Sequence, residues 1–256
     1  MPEQKIIAVV GATGAQGGGL VRAILADPAR RFAARAITRK TDSDKAKALA
    51  AAGAEVVAGD ADDPASLERA FKGAHGAFLV TNFWEHFSPE RELNQAAAMA
   101  RATRAAGIAH AVWSTLEDTR RDIPLDDPRL KTLQGKYKVP HFDAKGEADA
   151  IFAADAAPTS YLLAAFYWEN FIFFGQGPRK GADGNAVLAL PLGGGKPARY
   201  RGRRHRQVRV RHLPARSAGC GGAVRDRRGR ALWSGVRGRL LAPPRRAGLV
   251  LRHAVR

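Results

Sequence analysis

A glycine-rich stretch near the start of the chain decides the fold: Val9-Val10-Gly11-Ala12-Thr13-Gly14-Ala15-Gln16-Gly17-Gly18. It follows an apolar run, Lys5–Val10, that predicts a strand buried on both faces, and it opens a helical pattern from about Ala15 to Ala26. Glycines at 11, 14 and 17 permit a tight turn, the approach of a pyrophosphate and close packing of helix on strand. The N–H groups and dipole of the helix then favour a bound anion. The stretch predicts a dinucleotide site, and the alternative is a glycine turn without a ligand.

Strand and helix patterns alternate along the residues that follow. Strands are predicted at 5–10, 32–38, 55–58, 76–80, 110–114 and 159–165, and helices at 15–26, 43–52, from 64, 88–106 and 142–154. The polar, proline-punctuated residues 116–140 predict a loop. This alternation predicts an α/β protein with a Rossmann-like, doubly wound parallel sheet, and we expect its C-terminal lobe to be truncated or disordered.

The charge of the chain is unevenly distributed. Of the net charge of +18, residues 199–256 carry +17, from 18 Arg and one acid, Asp226. Ile, Phe, Lys, Asn, Met, Thr and Glu are absent from that segment, and its apolar residues show no sustained period. A segment without such a period has no face to present to a core. We therefore expect a folded domain over residues 1–198 and a disordered, non-native tail over residues 199–256.

Two explanations of the tail remain. The missing residue types are largely those with AT-rich codons, which indicates GC-rich DNA read out of frame from near Lys196–Arg199. Plausible codons for residues 199–213, shifted by one base, encode a loop and the start of an amphipathic helix. The alternative is a basic arm that binds phosphate backbones without sequence preference. We favour the frameshift, because no recognition-helix pattern indicates a specific nucleic-acid partner.

Composition excludes several other classes of protein. A single cysteine, Cys220, excludes a disulfide framework, and the seven His residues show no metal-ligand spacing, so no metal is expected. No apolar run of about 18 residues predicts a membrane span, and the N-terminal residues lack a secretory cleavage pattern. We expect a cytoplasmic protein. The sequence leaves its oligomeric state open, and a homodimer is one of the forms considered.

The end of the second strand bears on the choice of coenzyme. Enzymes that use NAD usually place an acid there to bind the ribose 2′-hydroxyl, whereas this chain has Thr38-Arg39-Lys40. An arginine can grip a 2′-phosphate with two hydrogen bonds, which favours NADP(H) over NAD(H). The alternative is that Arg39 and Lys40 are solvated loop charges, and Asp42 and Asp44 weaken the local field.

Two more segments lie where parallel strands end, on the side of the sheet that binds ligands. Asp60 and Ala61 follow the third strand, where an acid commonly contacts the adenosine, and Asp63 is interpreted as a helix cap ahead of Pro64. The segment after the fourth strand is Thr81-Asn82-Phe83.

Taken together, these motifs resemble the NmrA-like family of atypical short-chain dehydrogenases, and within it the HSCARG-type NADPH sensors. The resemblance runs from about Lys5 to Pro191. The motifs that carry it are residues 11–17, Thr38-Arg39, Gly59-Asp60, residues 81–85, residues 141–147 and Tyr167-Trp168-Glu169-Asn170. It implies cofactor contacts from Gly11, Ala12, Thr13, Gly14, Ala15, Gln16, Arg39, Asp60, Thr81, Asn82, Phe83, Lys145, Tyr167, Trp168, Glu169 and Asn170.

The proton donor of typical short-chain reductases is missing. These enzymes use a Tyr-x-x-x-Lys pair on one helix face, in which the lysine lowers the pKa of the tyrosine. Here Lys145 follows His141 at that spacing, and Val139-Pro140 separates Tyr137 from the same helix. Ser114 matches the helper hydroxyl. His141 is interpreted as a surface or capping residue, with a general acid as the alternative.

Two functions remain. The first is an NADP(H)-binding regulatory protein that senses the cofactor and signals to a protein partner without turnover, for which the two redox forms must bind with different affinity. The second is an NADPH-dependent reductase of quinones or small carbonyl compounds, in which His141 or water replaces the tyrosine and Lys145 and Ser114 assist.

The frameshift hypothesis predicts an inserted or deleted base near the codons for residues 196–199. Resequencing the locus tests it directly. A corrected frame should restore residues with hydrophobic periodicity, because a native lobe must bury one face of its helices. An intact reading frame would end this hypothesis in favour of the basic arm.

Overall fold

The computed structural model describes residues 4–164, 166–167, 170–173, 177–180, 186–187, 199–200 and 224–225. The strands are β1 (Lys5–Val9), β2 (Phe32–Thr38), β3 (Glu55–Ala58), β4 (Gly76–Leu79), β5 (His110–Thr115), β6 (Thr159–Leu163), β7 (Phe166–Tyr167), β8 (Arg179–Lys180), β9 (Ala186–Val187), β10 (Arg199–Tyr200) and β11 (Val224–Arg225). The helices are α1 (Ala15–Leu25), α2 (Asp44–Ala51), α3 (Pro64–Phe71), α4 (Pro89–Ala105), α5 (Pro140–Asp155) and α6 (Asn170–Phe173), and two short 3-10 helices cover Phe83–Glu85 and Thr119–Arg121.

Six parallel strands form the central sheet in the order β3-β2-β1-β4-β5-β6. The strand order reverses between β1 and β4, which places a ligand crevice at the carboxyl end of β1. Strand β11 adds an antiparallel pair at the β6 edge, and β7–β10 and β8–β9 form two small separate pairs. The predicted Rossmann-like sheet is confirmed. Most of the tail, including Cys220, lies outside the described residues, so its predicted disorder stays a prediction.

Helices cover both faces of the sheet, as buried parallel strands require. On one face, Leu67 and Phe71 of α3, Met99 of α4 and Phe152 of α5 pack around Trp113 of β5. On the other face, Leu20 and Ile24 of α1 and Leu49 of α2 pack against Ile7, Val9 and Phe78. The described helices include none with the length and hydropathy to cross a membrane.

Helix α5 begins two residues earlier than its sequence pattern predicts. Pro140 occupies its first position, where a missing N–H is tolerated, and Tyr137 lies buried outside the helix. Val139 precedes the helix and offers no capping side chain. Asp143 replaces the cap, since its Oδ2 accepts hydrogen bonds from the backbone N–H groups of Lys138 (2.7 Å) and Val139 (2.9 Å).

The other oxygen of Asp143 holds the long loop that precedes α5. Its Oδ1 accepts from the backbone N–H of Thr119 at 2.9 Å and from the Thr119 hydroxyl at 2.5 Å. The carboxylate is fully buried. A single side chain therefore joins both ends of the 116–139 loop to the start of α5.

Asp143→Ala should lower the free energy of unfolding by about 3 kcal/mol, because it leaves several buried N–H groups without an acceptor. Urea denaturation of the two proteins measures the change. Asp126→Ala, at an exposed position of the same loop, is the matched control. Equal losses in both variants would show that Asp143 does not anchor the loop.

Candidate functional site

The turn between β1 and α1 depends on glycine at positions 11 and 17. Gly11 has φ of +66°, a conformation that other residues adopt with strain. A Cβ on Gly17 would lie 2.3 Å from the Gly11 carbonyl oxygen, so α1 packs directly on the turn. The Gly14 N–H donates to the same oxygen at 2.9 Å. These contacts confirm the structural roles predicted for Gly11 and Gly17.

The N-terminus of α1 is prepared for an anion. Its N-cap is Gly14, without a side-chain cap and without an acid in the first turn. Helices α2, α3 and α4 are instead capped by Ser43, Asp63 and Ser88, which confirms the cap predicted for Asp63. The first N–H groups and the positive dipole end of α1 therefore face the crevice without a protein anion on them. Ala12, Thr13 and Ala15 complete this turn.

Gln16 connects two predicted site residues. The Ser114 hydroxyl at the end of β5 donates to Gln16 Oε1 at 2.7 Å, and Gln16 Nε2 donates to the Tyr167 hydroxyl at 2.5 Å. The Gln16 amide thus links the buried Ser114 hydroxyl to the Tyr167 hydroxyl through two hydrogen bonds at the carboxyl edge of the sheet. Trp168 and Glu169 lie outside the described residues, and Asn170 begins α6.

Arg39 is an exposed side chain that forms an ion pair. Its Nη1 lies 2.8 Å from Glu85 Oε2 and its Nη2 donates to Glu85 Oε1 at 2.9 Å. Asn82 Nδ2 donates to the same Oε1 at 3.0 Å. The acid that opposes the predicted cation is therefore Glu85, which the sequence analysis did not single out, whereas Lys40 remains exposed.

The turn after β3 places Asp60 and Ala61 at the same edge of the sheet. Asp60 Oδ1 accepts from the Asp62 N–H at 3.1 Å. Asp62 turns toward α4 and accepts from Arg91 Nη2 at 2.6 Å and from Gln95 Nε2 at 3.0 Å, and the Arg91 bonds hold the pKa of Asp62 below its usual value. Asp62 therefore anchors the turn, and the Asp60 carboxylate closes the turn on itself.

Lys145 is buried against α4 and β4. Its Nζ lies 2.8 Å from Glu92 Oε1, donates to Thr81 Oγ1 at 2.5 Å and sits 5.0 Å from the centre of the Trp113 ring. Burial lowers the pKa of Lys145, and the Glu92 carboxylate opposes that shift. Since Thr81 also donates to Glu92, the ammonium, the hydroxyl and the carboxylate form one closed group.

Glu92 is a site residue that the sequence analysis missed. It is fully buried on α4, on the face that also buries Gln95, Ala96 and Met99. That spacing of three, four and seven residues marks the core face of a helix. The sequence pattern could therefore have shown that the acid at position 92 is buried. Glu92 Oε2 and His86 Nε2, 3.5 Å apart, have no hydrogen-bond partner within the described part of the chain. The Ser88 N–H donates to His86 Nδ1, which assigns the ring proton to Nε2.

His141 is half-buried at the second position of α5, and the residue at the N-cap is Val139, so His141 is not the cap. Its ring centre lies 4.6 Å from that of Trp84 and 5.9 Å from that of Phe83, so it belongs to an aromatic cluster that also contains Phe87. Burial in this cluster lowers the pKa of His141. The neutral imidazole is therefore favoured near pH 7, which makes it a weak proton donor.

The described residues hold no group of three His, Cys, Asp or Glu side chains that could bind a metal ion. The polar groups of the crevice are instead a free helix N-terminus, two hydroxyls joined by an amide, an exposed ion pair and a buried lysine. This inventory suits an elongated anionic ligand with hydroxyl groups along its length.

The strand order, the glycine turn and the uncapped α1 define an α/β protein of the dinucleotide-binding class. The profile of the NmrA-like family matches residues 3–200, and the chain belongs to that family.

The proteins that this chain is similar to include a named oxidoreductase, a reductase and a transcriptional regulator. The NmrA-like family domain-containing oxidoreductase FrzB of Cladobotryum sp is 34% identical over 176 residues, which are 65% of this chain and 48% of FrzB. The negative transcriptional regulator NmrA in complex with NAD gives a TM-score of 0.61 at 23% identity, over 78% of this chain and 58% of NmrA. The Citrobacter sp. triphenylmethane reductase complexed with NADP(H) gives 0.59 at 23% identity, over 79% and 62%. The chain spans about half the length of the curated relatives it matches.

One more titratable group lies beneath the lysine. Asp149 of α5 accepts a hydrogen bond from Trp113 Nε1 at 3.0 Å, and burial raises its pKa from 3.8 to about 6. The folded state therefore binds this proton more tightly than the unfolded chain. Its contribution to stability is fully present below pH 4 and is lost as the pH rises to 6.

Asp149→Asn keeps an acceptor for Trp113 and removes the titration. The free energy of unfolding of the variant, minus that of the wild type, should therefore rise by up to about 3 kcal/mol between pH 4 and pH 7. Urea denaturation at each pH unit measures this difference, with Asp126→Asn as the control for the loss of one charge. A difference that does not change with pH would contradict the shifted pKa.

Proposed function

We propose that this chain binds NADP(H) along the carboxyl edge of its sheet and uses it as a regulatory signal without turnover. The observation that carries the proposal is that, among the residues the structure describes, no ready proton donor lies beside Lys145. His141 occupies the spacing of the usual tyrosine, but its ring is packed against Trp84 and burial favours its neutral form. Lys145 itself is committed to Glu92 and Thr81.

The residues present fit the dinucleotide. The uncapped α1 would hold the diphosphate, and the Gly17 approach keeps that helix close to the turn. Arg39 and Lys40 would bind a 2′-phosphate, which is close to dianionic, and Lys145 would face the nicotinamide ribose. NADPH, when bound, supplies a transferable hydride. The chain's own groups orient it and exclude water, and none of those beside Lys145 is poised to donate the proton that a carbonyl reduction needs.

A regulatory role requires that the two redox forms bind with different affinity or stabilise different conformations. The named relative NmrA is a negative transcriptional regulator with complexes of both NAD and NADP, which supports a dinucleotide-dependent signal in this fold. The recipient would be a protein partner in the cytoplasm. The same proposal includes a homodimer as a form in which the protein acts.

A second candidate function is the NADPH-dependent reduction of quinones or small carbonyl compounds. Trp84 and Phe87 are each 60% exposed, and Phe87 has φ of +55°, a strained conformation for an aromatic residue. Exposed rings beside α5 offer a flat apolar surface to an aromatic substrate. The path from Ser114 through Gln16 to Tyr167 offers it a hydroxyl, and relatives such as FrzB are named oxidoreductases.

The family match also supports the proposed domain boundary. It ends at residue 200, two residues after the predicted end of the domain at 198. We propose that residues 199–256 do not belong to the native family sequence.

The proposal predicts NADPH binding without NADPH consumption. Titration of the full chain, followed by the fluorescence of the dihydronicotinamide, measures binding, and its absorbance during incubation with a panel of quinones measures turnover. Gly14→Val places a branched side chain at the α1 N-cap, where the pyrophosphate approaches, and should weaken binding by about tenfold or more. Ala153→Val places the same valine side chain at an exposed position near the end of α5 and is the control.

Sustained NADPH loss with any quinone would overturn the regulatory proposal in favour of the reductase. In that case Tyr167→Phe and His141→Ala identify the proton donor, since only the donor's removal lowers kcat while leaving NADPH affinity unchanged. No binding of any dinucleotide would contradict both functions.

A further inference from the structure

The guanidinium of Arg39 already holds an anion. Glu85 meets it with both carboxylate oxygens, at 2.8 and 2.9 Å, and this parallel two-bond geometry is the one by which arginine also grips phosphate. Asn82 fixes the carboxylate from the other side at 3.0 Å. The side chains of Arg39 and Glu85 are 52% and 43% exposed, so the pair forms in solvent and is not part of the core.

The ion pair also spans the crevice. Arg39 follows β2 and Glu85 lies in the short helix after β4, and these two strands flank β1 on either side. The pair therefore bridges over the carboxyl end of β1, where the Gly11 turn begins. A dinucleotide with its diphosphate on α1 must place its adenosine ribose toward β2, beside Arg39. A 2′-phosphate and the Glu85 carboxylate then compete for one guanidinium.

We propose that Glu85 is a specificity-determining residue, which competes with the 2′-phosphate for Arg39 and so reduces the discrimination of NADP(H) over NAD(H). This inference rests on the proposed dinucleotide function and deepens it. NADP(H) binds with the pair open and Arg39 on the phosphate. NAD(H) has a neutral hydroxyl at this position, which does not compete for the guanidinium, so it binds with the pair closed.

The exchange is feasible because the pair is exposed. Ion pairs in solvent are weak, and a phosphate with nearly two negative charges competes well with one carboxylate. Glu85 nevertheless weakens NADP(H) binding twice, by occupying Arg39 and by repelling the phosphate at short range. Removing its charge should tighten NADP⁺ binding by about tenfold and change NAD⁺ binding by less than about twofold.

Calorimetric titrations of the full chain with NADP⁺ and with NAD⁺ test the inference. The variants are Glu85→Gln, which keeps the shape and removes the charge, Arg39→Gln, and the double variant. Glu90→Gln removes an exposed acid five residues further along the chain and controls for net charge. The measured quantity is the ratio of the two Kd values, which a loss of folded protein does not alter.

Glu85→Gln should raise the preference for NADP⁺ about tenfold, with no such change in Glu90→Gln. In the Arg39→Gln background the same substitution should raise it by less than about threefold, since the competition acts through Arg39. An unchanged ratio in Glu85→Gln, or an equal gain with and without Arg39, overturns the inference while leaving dinucleotide binding intact. If the wild type and all variants bind neither coenzyme, the proposed function fails and this inference fails with it.

Discussion

The contact of Gly17 with the Gly11 carbonyl is the constraint on which the rest of the site depends. It lets α1 start directly on the turn after β1, and any side chain at that position would push the helix away. Since Gly14 provides no cap, the helix keeps its positive end open toward the crevice. Helices α2, α3 and α4 close their starts with serine or aspartate, whereas the sheet topology places the start of α1 at its switch point.

Much of this arrangement could be predicted from the sequence. Alternating strand and helix patterns predicted the parallel sheet, and the glycine spacing predicted the turn, because both depend on local periodicity and on backbone conformations that few residues tolerate. The start of α5 was predicted late, since Pro140 and His141 read as loop residues. It begins at Pro140 because Asp143 satisfies the N–H groups of Lys138 and Val139 from within the helix.

The partners of the charged side chains could not be predicted. Glu85 and Glu92 lie 46 and 53 positions from Arg39 and Lys145 along the chain, and only the fold brings them together. The aromatic neighbours of His141 could not be predicted for the same reason, since Phe83 and Trp84 follow β4, far from His141 along the chain. Periodicity shows which face of α4 is buried, but it does not show which cation an acid on that face will meet.

The two acid–base pairs differ in solvation, and this difference divides the site into two parts. Glu92 and Lys145 are buried, so separating them would leave an uncompensated charge in the core, and their geometry is effectively permanent. Arg39 and Glu85 are in solvent, where an ion pair is weak and its partner can be exchanged. The lysine end of the crevice is therefore a rigid reference, whereas we propose that the arginine end responds to the ligand. To distinguish two dinucleotides, a site needs one rigid end and one adaptable end. The rigid end fixes the position of the ligand, so that the adaptable end meets the 2′-phosphate or the 2′-hydroxyl at the same place.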